Sequence, residues 1–132
     1  MNEPKQLTDV VAALDITIEC EKRTLLTDDE KETWGAGGTA WVVRLKYQGR
    51  ALTTSYYQGS AHKTAPTVAD VLGCLASDAR CGDQSFEDFC GDLGLDADSR
   101  KAHATWKACA KMSKQLRRLL GEAFDEVADA EH

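Results

Sequence analysis

Residues 39–58, TAWVVRLKYQGRALTTSYYQ, decide the fold. Their side chains alternate with period two, the pattern of a strand buried on one face. Trp41, Val43, Leu45 and Tyr47 share one face, and Val42, Arg44, Lys46 and Gln48 the other. Gln48-Gly49 permits a tight reversal. Residues 51–58 return, with Leu52, Thr54 and Tyr56 opposed to Thr53, Ser55 and Tyr57. Upstream, Leu14, Ile16, Ile18 and Cys20 alternate with Asp15, Thr17, Glu19 and Glu21, so a strand starting at Leu14 completes an antiparallel meander. Its outer face places Asp15, Glu19 and Glu21 beside Arg44 and Lys46. Such cross-strand pairs contribute roughly a few tenths of a kcal/mol each, so the charges need no ligand to explain them.

Downstream the period changes to that of a helix. Residues 67–70 have the form of a capping box and open a helix whose apolar stripe is Val68, Val71, Leu72 and Leu75. Residues 85–88 repeat that start, and the short helix they open is expected to turn Phe86, Phe89, Cys90 and Leu93 inward before Gly94 stops it. Residues 96–121, DADSRKAHATWKACAKMSKQLRRLLG, give the longest helical pattern. At about 100° per residue, Ala102, Trp106, Cys109, Met112, Leu116, Leu119 and Leu120 fall on one half of the cylinder, and Arg100, Lys107, Lys111, Lys114 and Arg118 on the other. Asp96 or Asp98 is the expected N-cap, and Gly121 the left-handed residue past the C-terminus. The predicted fold is therefore α+β, a three-stranded antiparallel β-sheet meander with three helices packed on one face. It forms a single domain over residues 1–132, with 1–12 and 122–132 loosely ordered.

Composition supports a folded globule: 42% of the 132 residues are apolar and three are Trp. No apolar run is long enough to span a bilayer, and the N-terminus MNEPKQLTDVVAAL does not read as a secretion signal, so the chain is expected in the cytosol of whatever cell makes it. The five cysteines, at 20, 74, 81, 90 and 109, include no CxxC pair and read as small buried hydrophobes. Net charge is −6, unevenly spread. The first 33 residues hold nine acidic and four basic groups; residues 78–98 hold seven acids against Arg80; residues 99–121 hold seven basic groups and no acid. A chain polarised in this way is not suited to coating DNA along its whole surface, because its acidic regions are repelled.

The sequence contains no phosphate loop, no HExxH and no GxSxG. His62 sits in a Gly/Ser loop with Ser60 and Lys63, and reads as a solvated loop histidine. Cys81, Cys90 and His103 lack a zinc-like spacing. Asp92, Asp96 and Asp98 lack the glycine and closing glutamate of a calcium loop, and helix capping accounts for them. No catalytic residue, metal ligand or cofactor is expected, and the chain reads as a non-enzyme.

Three pieces carry a resemblance: YYQGSAHKTAPTVADVLGCLASDA, SFEDFCGDLGLDADSRKA and TWKACAKMSKQLRRLLG. The chain resembles a group of small, mostly uncharacterised proteins of bacteriophages, prophages and actinobacteria. That group shares an F-S/Q-G-S…P-T-x-x-D-V-L-x-C-L-x-S-D-A segment, matched at Gly59, Ser60 and 66–79 with Tyr57 in place of the Phe, and an F-x-x-[FW]…G-Y-D-x-D-S-R-x-A segment, matched at Phe86, Phe89 and 94–102, with Leu95 in place of the aromatic. The likeness covers residues 40–121. It supplies no catalytic residue to transfer, and implies context: small acidic phage proteins that inhibit host defences, including anti-CRISPR proteins that occupy nucleic-acid grooves. The implied partner is a bacterial defence protein such as a CRISPR–Cas effector subunit. On this reading the partner-binding residues are Asp28, Asp29, Glu30, Asp83, Glu87, Asp88 and Asp92, with Trp34 and Tyr57 as aromatic anchors. The alternative is a nucleic-acid accessory protein using Arg100, Lys107, Lys111, Lys114 and Arg118.

Overall fold

Gln48 and Gly49 both have positive φ, 49° and 77°, the pairing of a type I′ turn whose twist matches the strands it joins. The computed structural model describes residues 5–23, 28, 39–58 and 64–131. Strands β1 (Thr17–Arg23), β2 (Thr39–Tyr47) and β3 (Arg50–Gln58) form an antiparallel sheet in the order β1-β2-β3, in register from Thr17↔Lys46 through Tyr47↔Arg50. The α+β meander follows the alternation: Trp41, Val43, Leu45, Tyr47 and Leu52 are buried in the main core. The outer face is charged, and Lys46 Nζ donates to Glu19 Oε1 at 2.8 Å, holding that exposed carboxyl below its usual range.

The helices are α1 (Leu7–Leu14), α2 (Val68–Gly82), α3 (Phe86–Leu93), α4 (Arg100–Leu120) and, after a 3-10 turn at Gly121–Ala123, α5 (Phe124–Asp129). Helices α1 and α5 correct the expectation of loose ends. Leu7, Val10, Val11 and Leu14 follow i, i+3, i+4, i+7 spacing, so Leu14 fits a helix as well as a strand. Helix α1 ends at Asp15 in the left-handed conformation, and β1 begins only at Thr17. Phe124 and Val127 of α5 are 2% and 1% exposed. The two ends tie together: Leu7 N donates to Glu131 O at 2.6 Å and Glu131 N to Lys5 O at 2.8 Å.

The capping box of α2 forms as expected, with Asp70 N donating to Thr67 Oγ1 and Thr67 N to Asp70 Oδ2. Helix α4 starts later than predicted. Ser99, not an aspartate, is its N-cap, accepting from Ala102 N at 3.3 Å, while Asp96 accepts from Asp98 N within the preceding turn. Gly121 has positive φ but ψ −125°, outside the left-handed helical region, because the chain runs directly into the 3-10 turn. Helices α2 and α4 cross at Gly82, where a Cβ would lie 2.2 to 2.4 Å from the Cys109 and Ala110 backbone. No helix among the described residues is long and apolar enough to cross a membrane.

Candidate interaction surface

Helix α3 stands apart from the main core. Ser85 caps it by accepting from Asp88 N at 3.2 Å, and Gly94 closes it in the left-handed conformation. Leu95 N then donates back to Cys90 O at 2.9 Å, a Schellman closure. Its inner side joins a small second cluster, Phe89, Cys90, Ala102 and Cys109, flanked by Cys81, Phe86 and Trp106. The ring of Phe86 stacks on His103 at 4.0 Å and meets Trp106 edge-on at 5.5 Å. Trp106 Nε1 donates to Gln84 O at 3.1 Å. These contacts give His103 and the buried cysteines packing duties. All five cysteines are free, and burial pushes the Cys109 thiol up to about 12, far from a nucleophile at neutral pH.

The outer side of α3 is a different surface. Glu87, Asp88 and Asp92 are exposed together, and Asp96 and Asp98 extend the acidic strip into the next turn. Gln84 Nε2 donates to Asp92 Oδ2, which steadies that carboxylate without neutralising it. Leu93 and Leu95, 51% and 37% exposed, lie at the C-terminal end of α3, Leu93 on the inward side of the helix. The burial expected of Leu93 is overturned: at the last turn of α3 the i+7 position has passed the edge of the small cluster.

The remaining predicted residues are dispersed. Asp83 is not a free contact residue. Ser113 Oγ donates to its Oδ1 and Arg117 Nη2 to its Oδ2 at 2.7 Å. Partial burial opposes its charge, but Ser113 and Arg117 outweigh this and hold the carboxyl below the usual range. Tyr57 is half-buried on the outer face of the sheet, opposite Ala40, on an element separate from α3. Asp28 is exposed. Asp29, Glu30 and Trp34 lie outside the described residues, as do His62 and its loop neighbours. On α4, Arg100, Lys107, Lys111, Lys114 and Arg118 are all exposed. Arg117 of α4 pairs with Asp83 of the preceding segment.

Asp78 was not singled out by the sequence. It lies half-buried on α2 at the floor of a trough between β3 and α4, and burial pushes its carboxyl up to about 6. Its i+4 and i+3 relation to Cys74 and Cys81 places it on a helix face with thiols, a signal too common to have marked it. Among the described residues, no group of three or more His, Cys, Asp or Glu side chains is placed to hold a metal ion.

No protein-family model matches the chain. No curated protein and no solved structure matches it either.

Proposed function

We propose that the chain is a stoichiometric binding protein and not an enzyme, with the outer surface of α3 as its recognition surface. One observation carries this: Glu87, Asp88, Asp92, Asp96 and Asp98 are all exposed along α3 and the turn after it, and two exposed leucines, Leu93 and Leu95, stand at the end of that helix. Carboxylates of this kind speed encounter with a basic groove and set its register, and the leucines supply the desolvated centre that holds the complex. Together with the likeness to small phage proteins, this gives the specific form of the reading: a phage-derived counter-defence protein that inhibits a CRISPR–Cas effector by occupying a basic nucleic-acid groove. The test is phage plating on bacteria whose CRISPR–Cas systems target that phage, across a panel of effector types. Expression of the chain is expected to restore plaques against at least one system. Restoration should be lost in Glu87→Lys/Asp88→Lys/Asp92→Lys with the fold intact by circular dichroism. Failure against every system would sink the counter-defence role; restoration indifferent to the triple substitution would sink the acidic surface.

A second reading rests on a separate observation. Lys107, Lys111, Lys114 and Arg118 form one exposed stripe with no counter-charge on α4 itself. Such a stripe suits a phosphate backbone, and binding through it would weaken steeply with salt. A gel shift with duplex DNA that disappears on Lys107→Ala/Lys111→Ala/Lys114→Ala supports this reading; no shift at low salt removes it.

A further inference from the structure

The two edges of the sheet are built differently. Strand β1, TIECEKR, ends the sheet with Glu19, Glu21, Lys22 and Arg23, the charges that discourage edge-to-edge pairing. Strand β3, RALTTSYYQ, has no charge, proline or glycine after Arg50, and its register with β2 runs without a bulge to Gln58. Along β3 itself, no charge, proline or bulge after Arg50 protects the edge.

Hairpin geometry shows which groups this leaves open. A two-residue turn makes Tyr47 and Arg50 a hydrogen-bonded pair, and antiparallel pairs alternate from there. Residues 52, 54, 56 and 58 therefore bond to β2, and Ala51, Thr53, Ser55 and Tyr57 direct their N–H and C=O groups away from it. Among the described residues no strand pairs with that edge, and no other backbone bond uses those groups.

The edge opens onto a trough. Two adjoining cavities, of about 290 and 280 Å³, share Thr53 and Gln115 and run between β3 and α4. Their β3 wall includes Ala51, Thr53 and Ser55, three of the four residues with outward backbone groups. Along α4 the wall runs from Ala108 to Leu119, roughly 16 Å at 1.5 Å per residue, which matches about five residues of extended chain. Among the described residues that line it, Arg50, Lys111 and Arg118 are set against one acid, Asp78.

The geometry points to a docking site in which an extended, acidic peptide segment of a partner protein adds to β3 as a fourth strand, its carboxylates meeting Arg50, Lys111 and Arg118. Main-chain bonds to Ala51, Thr53, Ser55 and Tyr57 supply the adhesion, and the basic wall selects the sequence. Charge decides the occupant. A second copy pairing edge to edge would set two groups of Arg50, Lys111 and Arg118 against each other. A nucleic acid would satisfy the cations of α4 and leave the β3 backbone groups unused. The site is distinct from the α3 surface and does not depend on it.

The probe is a fluorescein-labelled heptapeptide of alternating glutamate and valine, EVEVEVE, with KVKVKVK as the charge-reversed control. Anisotropy is expected to show saturable binding of the acidic peptide alone. Amide NMR shifts and slowed hydrogen exchange should appear at Ala51, Thr53, Ser55 and Tyr57. K111E/R118E should weaken binding by about tenfold or more, the range of losing two charge pairs. T53P removes an outward N–H and no bond to β2, so the sheet is retained and peptide binding lost. The same peptide N-methylated at alternate residues should fail to bind whatever the state of the variants. The proposal is overturned if EVEVEVE does not bind, if binding survives both T53P and N-methylation, or if those four amides are already protected in the free protein. It is also overturned if duplex DNA shifts the same four amides and displaces the peptide.

Discussion

The main core and the α3 surface are stabilised on different scales. In the main core, three strands, α2, α4 and both terminal helices share one apolar cluster, with Val43, Leu45, Val71, Leu72 and Leu116 fully excluded from water. Helix α3 has one fully buried large side chain, Phe89, and rests on α4 through a small cluster rich in cysteine and alanine. A helix of eight residues is marginal without packing, so α3 depends on that cluster and its caps. The candidate recognition strip is thus carried by the less stable region, where interaction surfaces are commonly found. The two regions meet at Gly82, where α2 and α4 cross, and at the Asp83–Ser113–Arg117 network one residue later.

That junction offers the strongest way to break the comparison. Gly82→Ala would gain about 1 kcal/mol of helix propensity. The added Cβ would meet Cys109 carbonyl atoms near 2.2 Å, and backbone cannot rotate aside as a side chain does. The clash wins: a net loss of about 3 kcal/mol or more is expected in urea denaturation, felt by both regions at once. Phe89→Ala should separate them. Its cavity costs about 3 to 4 kcal/mol, all within the small cluster. Amides of 86–95 should lose exchange protection in this variant while those of β2 keep theirs; equal loss in both would show that the regions are one cooperative unit.

Smaller effects sharpen the contrast by pH. The raised carboxyl of Asp78 makes the folded state bind a proton more readily than the unfolded chain. The wild type should therefore lose stability as pH rises from 3.8 to about 6. Asp78→Asn removes that loss, so it should gain on the order of 2 kcal/mol at pH 8 and nothing at pH 3, read from paired denaturation curves. Asp83 has the opposite sign. Its lowered carboxyl stabilises the fold above 3.8, an effect lost as pH falls through the lowered value. Asp83→Ala should cost under about 1 kcal/mol at pH 7, since the Arg117 pair is solvent-screened, and the deficit should shrink in 0.5 M salt. A deficit unchanged by salt would assign the cost to Ser113, 5% exposed and deprived of its acceptor.

Much of this molecule was legible in its sequence because the signals are local. Period-two alternation in 39–58 reports a half-buried sheet whatever covers it. Thr67 with Asp70, and Ser85 with Asp88, cap their own helices through bonds spanning three residues. The charged face of α4 follows from residues one turn apart. What the sequence left open depends on partners distant along the chain. Leu14 satisfies both a strand and a helix pattern, and the neighbouring Leu7, Val10 and Val11 decide for the helix by packing in the main core. Leu93 keeps the inward spacing of α3, yet the cluster beneath it ends too soon to cover it. Asp83 reads as one acid among seven, until Arg117, 34 residues later, takes it out of the recognition surface. The open edge of β3 needs the sheet order before it exists at all. Local bonding and periodicity are properties of a segment; exposure, pairing and the shape of a groove are properties of the surfaces that segments leave uncovered once they pack.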